Sequence, residues 1–199
     1  MANEITKTYI INLALANLGQ DVIASATEDT ATARSANLMY DVVRRDLLRA
    51  HDWQFALRFA ELATSNTESP ELRLPYVFAL PSGCLFLKKI VYENMPVQKT
   101  VPHLLFNDNS GNKLVACPYE EARAWYVYDE DNTYVFDPAF VACFALLLAA
   151  ELAVPLAGDY ELAKYMLAKY QSKLDEARQA NKIEQFEVPE KTSAFTEAR

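Results

Sequence analysis

His51 beside Asp52, and Cys117 with His103, have the residue types of a nucleophile–base pair, yet no spacing signature fixes either geometry. The acidic run Asp129-Glu130-Asp131, with Glu120-Glu121 upstream, offers carboxylates for glycoside hydrolysis or for a calcium loop. Hydrolysis needs two acids across a sugar-sized gap, and a calcium loop needs spaced ligands around a central glycine. Adjacent acids satisfy neither, so a solvated turn is expected. Cys84, Cys117 and Cys143 form no C-x-x-C, and only two histidines are present, so no metal site or cofactor is expected and Cys84 and Cys143 read as small buried hydrophobes. The chain contains no G-x-S-x-G, H-E-x-x-H, G-x-x-x-x-G-K-[ST] or G-x-G-x-x-G motif. The densest basic group, Arg44-Arg45 with Arg49, is interrupted by acids, and Lys88-Lys89 sits in a strand pattern where neighbouring side chains diverge. With no concentrated chemistry, a binding or structural role is expected in place of catalysis.

The elements that must position these residues follow from composition and periodicity. The 199 residues are 51% hydrophobic, which is ample for a packed core, and the net charge of −8 argues against a dedicated nucleic-acid binder. Three unpaired cysteines suit a reducing compartment. Met1-Ala2-Asn3-Glu4 lacks the basic start of a secretory leader, so none is expected. Residues 139–156 are apolar except for Glu151 and lack flanking lysine or arginine, so a buried core helix is expected there and no membrane contact.

Apolar spacing predicts a helix over residues 3–18 with Gly19 as its C-cap, and a second helix capped by Thr27 or Asp29. In the second helix Ala33, Ala36, Leu38, Tyr40, Val43, Leu47 and Leu48 form the expected buried stripe, with Arg34, Asp41, Arg44, Arg45 and Arg49 opposite. Residues 51–57 read as a further short helix. Residues 76–80, 85–92, 101–106, 113–117 and 123–128 read as strands, the third confined to an edge by Pro102, with turn signals between them, residues 93–96 included. Asp137-Pro138 opens a hydrophobic helix ended by Pro155 and Gly158, and an amphipathic helix fills residues 159–184. The expected architecture is α+β and mainly α: a four-helix bundle, two helices N-terminal and two C-terminal, with a small antiparallel β region inserted. The bundle takes residues 1–64 and 137–185, the β region 72–136, and an extended tail 186–199.

Several segments, in order, resemble the tail tubular protein A family, the head-to-tail adaptors of short-tailed bacteriophages. They are Ala14-Leu15-Ala16-Asn17-Leu18-Gly19-Gln20 with Glu28-Asp29, then Ala36, Tyr40-Asp41, Arg44 and Leu47-Leu48, then Trp53-Gln54-Phe55-Ala56 with Leu62. Tyr76-Val77-Phe78-Ala79-Leu80-Pro81 with Cys84-Leu85 follows, and finally Asp137-Pro138-Ala139-Phe140 with Leu152-Ala153. Together they span about three-quarters of the chain; the tail after Phe186 carries no such feature.

The resemblance implies a non-enzymatic virion protein of the tail, assembled in the host cytoplasm into a ring, typically dodecameric, between the portal and the tail nozzle. Tail fibres are a further implied partner, and DNA passes through the ring without specific binding. On that reading Arg34, Arg44, Arg45 and Arg49 meet Glu161, Asp175 or Glu176 of a neighbouring copy, or else face solvent. Val188 and Phe195 in the tail dock on the portal, and Glu120, Glu121, Asp129, Glu130 and Asp131 are candidates to face the channel. A net acidic subunit repeated around a ring repels the duplex and lets it slide. The alternatives are a small tail-associated glycan or peptidoglycan hydrolase using Glu120, Glu121 or Asp129, and a helical interaction module unrelated to virions.

Overall fold

The computed structural model describes residues 4–92 and 101–184, the side chains of 181–184 excepted; the expected turn at 93–96 and the tail residues Val188 and Phe195 lie outside them. Helix α1 (Lys7–Asn17) starts where the Thr6 hydroxyl accepts from the Tyr9 N–H at 3.1 Å. It ends where Gly19, at φ +67°, lets its own N–H reach the Ala16 carbonyl and the Gln20 N–H reach Leu15. The segment that follows is pinned by Asn12, whose side chain both donates to and accepts from the backbone of Ile23 at 2.9 Å.

Helix α2 (Ala31–Ala50) is capped by Thr30, not Thr27 or Asp29: its hydroxyl accepts from the Ala33 N–H while donating to Glu28. Two residues of α2 face opposite to expectation. Leu38 is 72% exposed, and Arg44 is 3% exposed. At about 100° per residue, Leu38 lies some 200° from Ala36, whereas Arg44 follows Tyr40 round to the buried side.

Helix α3 (Pro138–Leu152) begins with the Asp137 carboxylate accepting from the Ala139 N–H at 2.7 Å and Pro138 in the first turn, where its missing N–H costs nothing. Residues Ala153–Ala157 widen into a π-turn around Pro155, which cannot donate the regular bond, and Gly158 at φ +64° closes it. Asp159 then accepts from the Leu162 N–H to start α4 (Tyr160–Glu184). Helix α3 packs against α1, α2 and α4. Residues Pro138–Ala157 are long and apolar enough to cross a bilayer, but 61% of that window is buried inside the fold, with Phe140, Cys143, Phe144, Leu148 and Leu152 fully enclosed.

Among the described residues, seven strands make two antiparallel sheets: β1 (Leu57–Glu61), β2 (Ala63–Thr64), β3 (Tyr76–Ala79), β4 (Cys84–Val91), β5 (Leu104–Asn107), β6 (Lys113–Cys117) and β7 (Arg123–Tyr128). The first sheet runs β1-β7-β4 and the second β2-β3-β6-β5. Leu57, Leu85 and Val127 of the first sheet join the helical core. Leu87, Ile90 and Ala124 of the same sheet pack with Phe78, Val115 and Cys117 of the second. The three-stranded sheet is therefore the middle layer between the helices and the four-stranded sheet. A further small cluster of Val77, Leu114 and Ala116 covers the outer face of the second sheet.

This corrects the expected architecture. The fold is α+β with four helices and two antiparallel sheets, not a four-helix bundle carrying a small β insertion. The decisive element is β1. Residues 54–56 form only a 3-10 turn, and Leu57–Glu61 leaves it as a strand paired in register with Val127 to Arg123. That pairing completes a three-stranded layer on which the helices rest. The third expected strand begins later than read, at Leu104, after Pro102, and forms one edge of the second sheet.

Within the helical core the Tyr40 ring lies 4.7 Å from Phe144 and under the Lys7 ammonium. Its hydroxyl is buried with no hydrogen-bond partner among the described residues, and burial pushes its pKa well above the ordinary value. An enclosed hydroxyl without a partner loses its hydration uncompensated. Tyr40→Phe is accordingly expected to raise the unfolding free energy by about 1 kcal/mol in urea titration. A loss of stability would show that the hydroxyl has a partner in solution.

Candidate functional site

Helix α2 divides the molecule's surface chemistry in two. Its inward side carries Arg44 to the turn after β7. There Arg44 Nη1 donates to Asp129 Oδ1 at 2.7 Å and to the Glu130 carbonyl at 2.6 Å. Arg45 Nε donates to the other Asp129 oxygen at 2.9 Å, so consecutive arginines bracket one carboxylate. Arg58 on β1 donates to Glu130 Oε2 at 2.6 Å, and the other Glu130 oxygen accepts from the Asn132 N–H. Arg44 and Glu130 are the buried charged residues of the described chain. The Asp129 N–H donates to the Gly83 carbonyl at 2.8 Å, which ties in the turn before β4. Gly83 sits at φ +75°, with the Tyr128 ring occupying the space a Cβ would need, so only glycine fits this approach without strain.

The cluster joins helix α2, strand β1 and the β4–β7 turns within a single chain. Arg44 thus spends its charge inside the chain and not on a neighbouring surface. Asp129 and Glu130 are neutralised by arginines, in place of the expected solvated turn, while Asp131 is exposed. Glu120 and Glu121 are exposed at the opposite end of β7, about 20 Å away along the strand. The five acids are therefore not gathered on one face.

The outward side of α2 presents Leu38 (72% exposed) and Val42 (57% exposed) one turn apart, flanked by Arg34, Arg45 and Arg49. Arg34 pairs with Asp29. On α4, Glu161 pairs with Lys164 at 2.7 Å, Glu176 with Lys173 at 2.7 Å and Asp175 with Arg178 at 3.2 Å, all exposed pairs within one helix. Exposed pairs of this kind contribute little, so they exchange partners at small cost. The first sheet adds a second outward patch, where Phe59 and Trp125 are cross-strand partners with rings 5.0 Å apart. Sequence reading missed Leu38, Val42, Arg58 and the Phe59–Trp125 pair. The helical angle of Leu38 was the available signal; the strand partners had none short of the β1–β7 pairing.

A hollow of about 420 Å³ opens between β4 and the β5–β6 pair, with Arg49 and Lys113 as its cations and no carboxylate in its lining. A second hollow of about 540 Å³ continues from it past Leu80 and Lys113 to Asp108, whose carboxylate is held by the Ser110 and Asn112 N–H groups and the Asn112 side chain. Neither is lined by Glu120, Glu121, Asp129 or Glu130. Of the candidate nucleophile–base pair Cys117 and His103, which had no spacing signature, the Cys117 thiol donates to the Tyr119 carbonyl and His103 meets the Val101 carbonyl. His51 packs edge-on against Trp53, and burial lowers its pKa.

Among the described residues no group of three or more His, Cys, Asp or Glu is placed to hold a metal ion. All three cysteines are buried, and burial raises each thiol pKa, that of Cys143 to about 11. The thiolate is the nucleophile, so iodoacetamide at neutral pH is expected to leave all three unlabelled in the native protein and label all three in denaturant, as read by intact mass. Rapid native labelling at any of them would contradict the enclosed positions described here. Protein-family models and curated proteins yield no match to this chain.

Proposed function

We propose that the chain is a structural virion protein of a short-tailed bacteriophage, a head-to-tail adaptor that joins copies of itself into a ring between the portal and the tail nozzle. The resemblance carried by the ordered motifs suggests the role. The structural observation that supports it best is the outward face of α2, where Leu38 and Val42 stand exposed between arginines. Exposed apolar side chains rimmed by charge suit a protein contact. Glu161, Asp175 and Glu176 on α4 of the next copy, exchanging out of their exposed intrahelical pairs, meet Arg34, Arg45 and Arg49, of which Arg34 and Arg45 leave exposed or half-exposed pairs of their own. Two different faces of one subunit meeting in this way make a heterologous contact, which closes into a ring when the rotation permits.

In this reading the ring is dodecameric, the segment with Val188 and Phe195 docks on the portal, and tail fibres and the nozzle are further neighbours. DNA slides through a conduit whose subunits each carry a net charge of −8. The protein works in the tail of the virion after assembly in the host cytoplasm, without a catalytic step. The test is negative-stain microscopy and native mass spectrometry of the purified chain, alone and with portal rings. Rings are expected on the portal, and Leu38→Glu with Val42→Glu is expected to abolish them while leaving the circular dichroism spectrum unchanged. Monomers that stay inert beside portal rings would overturn the proposal.

A further inference from the structure

The outward residues of α2 form one stripe. At about 100° per residue, Arg34, Leu38, Val42, Arg45 and Arg49 fall within a sector of about 80°, opposite the buried Ala36, Tyr40 and Leu47. The exposed side of α4 carries a stripe of the same build. Glu161, Tyr165, Ala168, Ser172, Asp175 and Glu176 fall within about 100°, opposite the buried Met166, Tyr170 and Leu174. Each stripe is charged at both ends and apolar between them: Leu38 and Val42 on one helix, Tyr165 (58% exposed) and Ala168 on the other. The charges are opposite in sign, and the lengths agree, since Arg34 to Arg49 and Glu161 to Glu176 each span about 22 Å.

The fold sets the direction in which these stripes can meet. Arg178 on α4 donates to the Ala50 carbonyl at 3.0 Å, so the C-terminal end of α2 lies beside that turn of α4. Helix α2 also touches Ala153–Ala157, which lies about 30 Å back from Arg178, so that contact belongs to the first turns of α2. The two helices therefore run parallel within one chain, with Ala50 level with about residue 178. Copies in a ring are related by rotation without rise, and for twelve copies each rotation is about 30°. The α4 helix of the next copy thus keeps its direction relative to α2 to within about 30°, and helices standing along the ring axis keep their level as well.

The side chains select the same register. With the helices parallel, setting Arg34 against Glu161 puts Leu38 against Tyr165 and Arg49 against Glu176, and brings Asp41 within one residue of Lys169. Residue 50 then lies level with 177, one residue from its level within the chain. With the helices antiparallel, setting Arg49 against Glu161 puts Arg45 against Tyr165 and Leu38 against Ser172, which separates the two largest apolar side chains.

We infer that α2 and α4 stand along the ring axis and that α2 of one copy lies parallel to α4 of the next, with Leu38 on Tyr165 between an Arg34–Glu161 and an Arg49–Glu176 pair. The inference rests on the adaptor reading and adds the partner surface, its direction and its register. Two double variants test it, Leu38→Cys with Tyr165→Cys and Leu38→Cys with Ser172→Cys, each assembled on portal rings and treated with a short bis-maleimide. All three positions are exposed, and the native cysteines are buried. The 38/165 chain is expected to give a ladder of linked copies on a denaturing gel, and the 38/172 chain about tenfold less, because its thiols sit about 10 Å out of level. A ladder from 38/172 alone would overturn the parallel register and leave the adaptor reading standing, as would rings that give neither ladder. No rings from the unaltered chain would overturn both.

Charge exchange gives a second readout. Arg34→Glu is expected to lower the number of rings about tenfold by setting like charges together, and adding Glu161→Arg is expected to restore them. Rescue by Glu176→Arg instead would mean antiparallel helices and overturn the inference. Rings indifferent to Arg34→Glu, or rescued by neither change, would overturn it too.

Discussion

Phe140→Ala is expected to be the most damaging single truncation in the chain, lowering the unfolding free energy by about 3–5 kcal/mol. Phe140 is fully buried at the start of α3, and its ring meets Trp53 at 5.1 Å, Phe55 at 5.0 Å, Phe136 at 4.8 Å and Phe144 at 5.8 Å. Those rings come from the segment leaving α2, from the entry to α3 and from α3 itself, so the vacated space has walls from several elements and collapses poorly. Urea unfolding by circular dichroism reads the effect, and a loss below about 1 kcal/mol would show that the site refills. Phe140→Leu, which keeps most of the volume, is expected to cost less than half as much.

Asp129→Ala is the second large effect, expected at about 3 kcal/mol, because it strands the Arg44 guanidinium inside the fold with only the Glu130 carbonyl and a distant Asp41. Removing the partner is expected to be gentler. Arg44→Met fills the same volume with an apolar chain and leaves Asp129 on Arg45, so its expected cost is about 1 kcal/mol. The double variant then recovers most of the Asp129→Ala loss, and the cycle yields the coupling directly. Equal costs for the two single changes would mean that Arg44 is hydrated, contrary to its 3% exposure.

These two sites differ in how far the sequence announces them. Asp137-Pro138 marks the start of the hydrophobic helix α3, on which Phe140 lies. Helix ends and glycine turns are local chemistry, so Thr6, Gly19 and Gly158 are readable within a few residues of themselves. Strand β1 is not local. Its five residues follow a segment with helical spacing, and what makes them a strand is β7, more than sixty residues away, with Phe59 opposite Trp125. Without β1 the sheet that carries the helices cannot be foreseen, and the helices read as a bundle.

Arg44 escaped for the same reason. On a helix wheel it borders the apolar stripe, and an arginine there looks like a rim residue until the turn carrying Asp129 and Glu130 closes over it. The outward face of α2 is partly legible in its arginines, whereas Leu38 is apolar by type but lies on the outward side by helical angle. The hollow between β4 and the β5–β6 pair had no trace in the sequence, because segments far apart along the chain line it.

The placement of the two tryptophans makes the protein its own optical gauge. Trp53 is 2% exposed, with its indole N–H bonded to the Leu47 carbonyl, whereas Trp125 is 37% exposed beside Phe59. Iodide in the solvent quenches the emission of the second far more than that of the first. A body settling on the middle sheet therefore shields one fluorophore, while melting of the helices unveils the other, and a single cuvette distinguishes docking from denaturation.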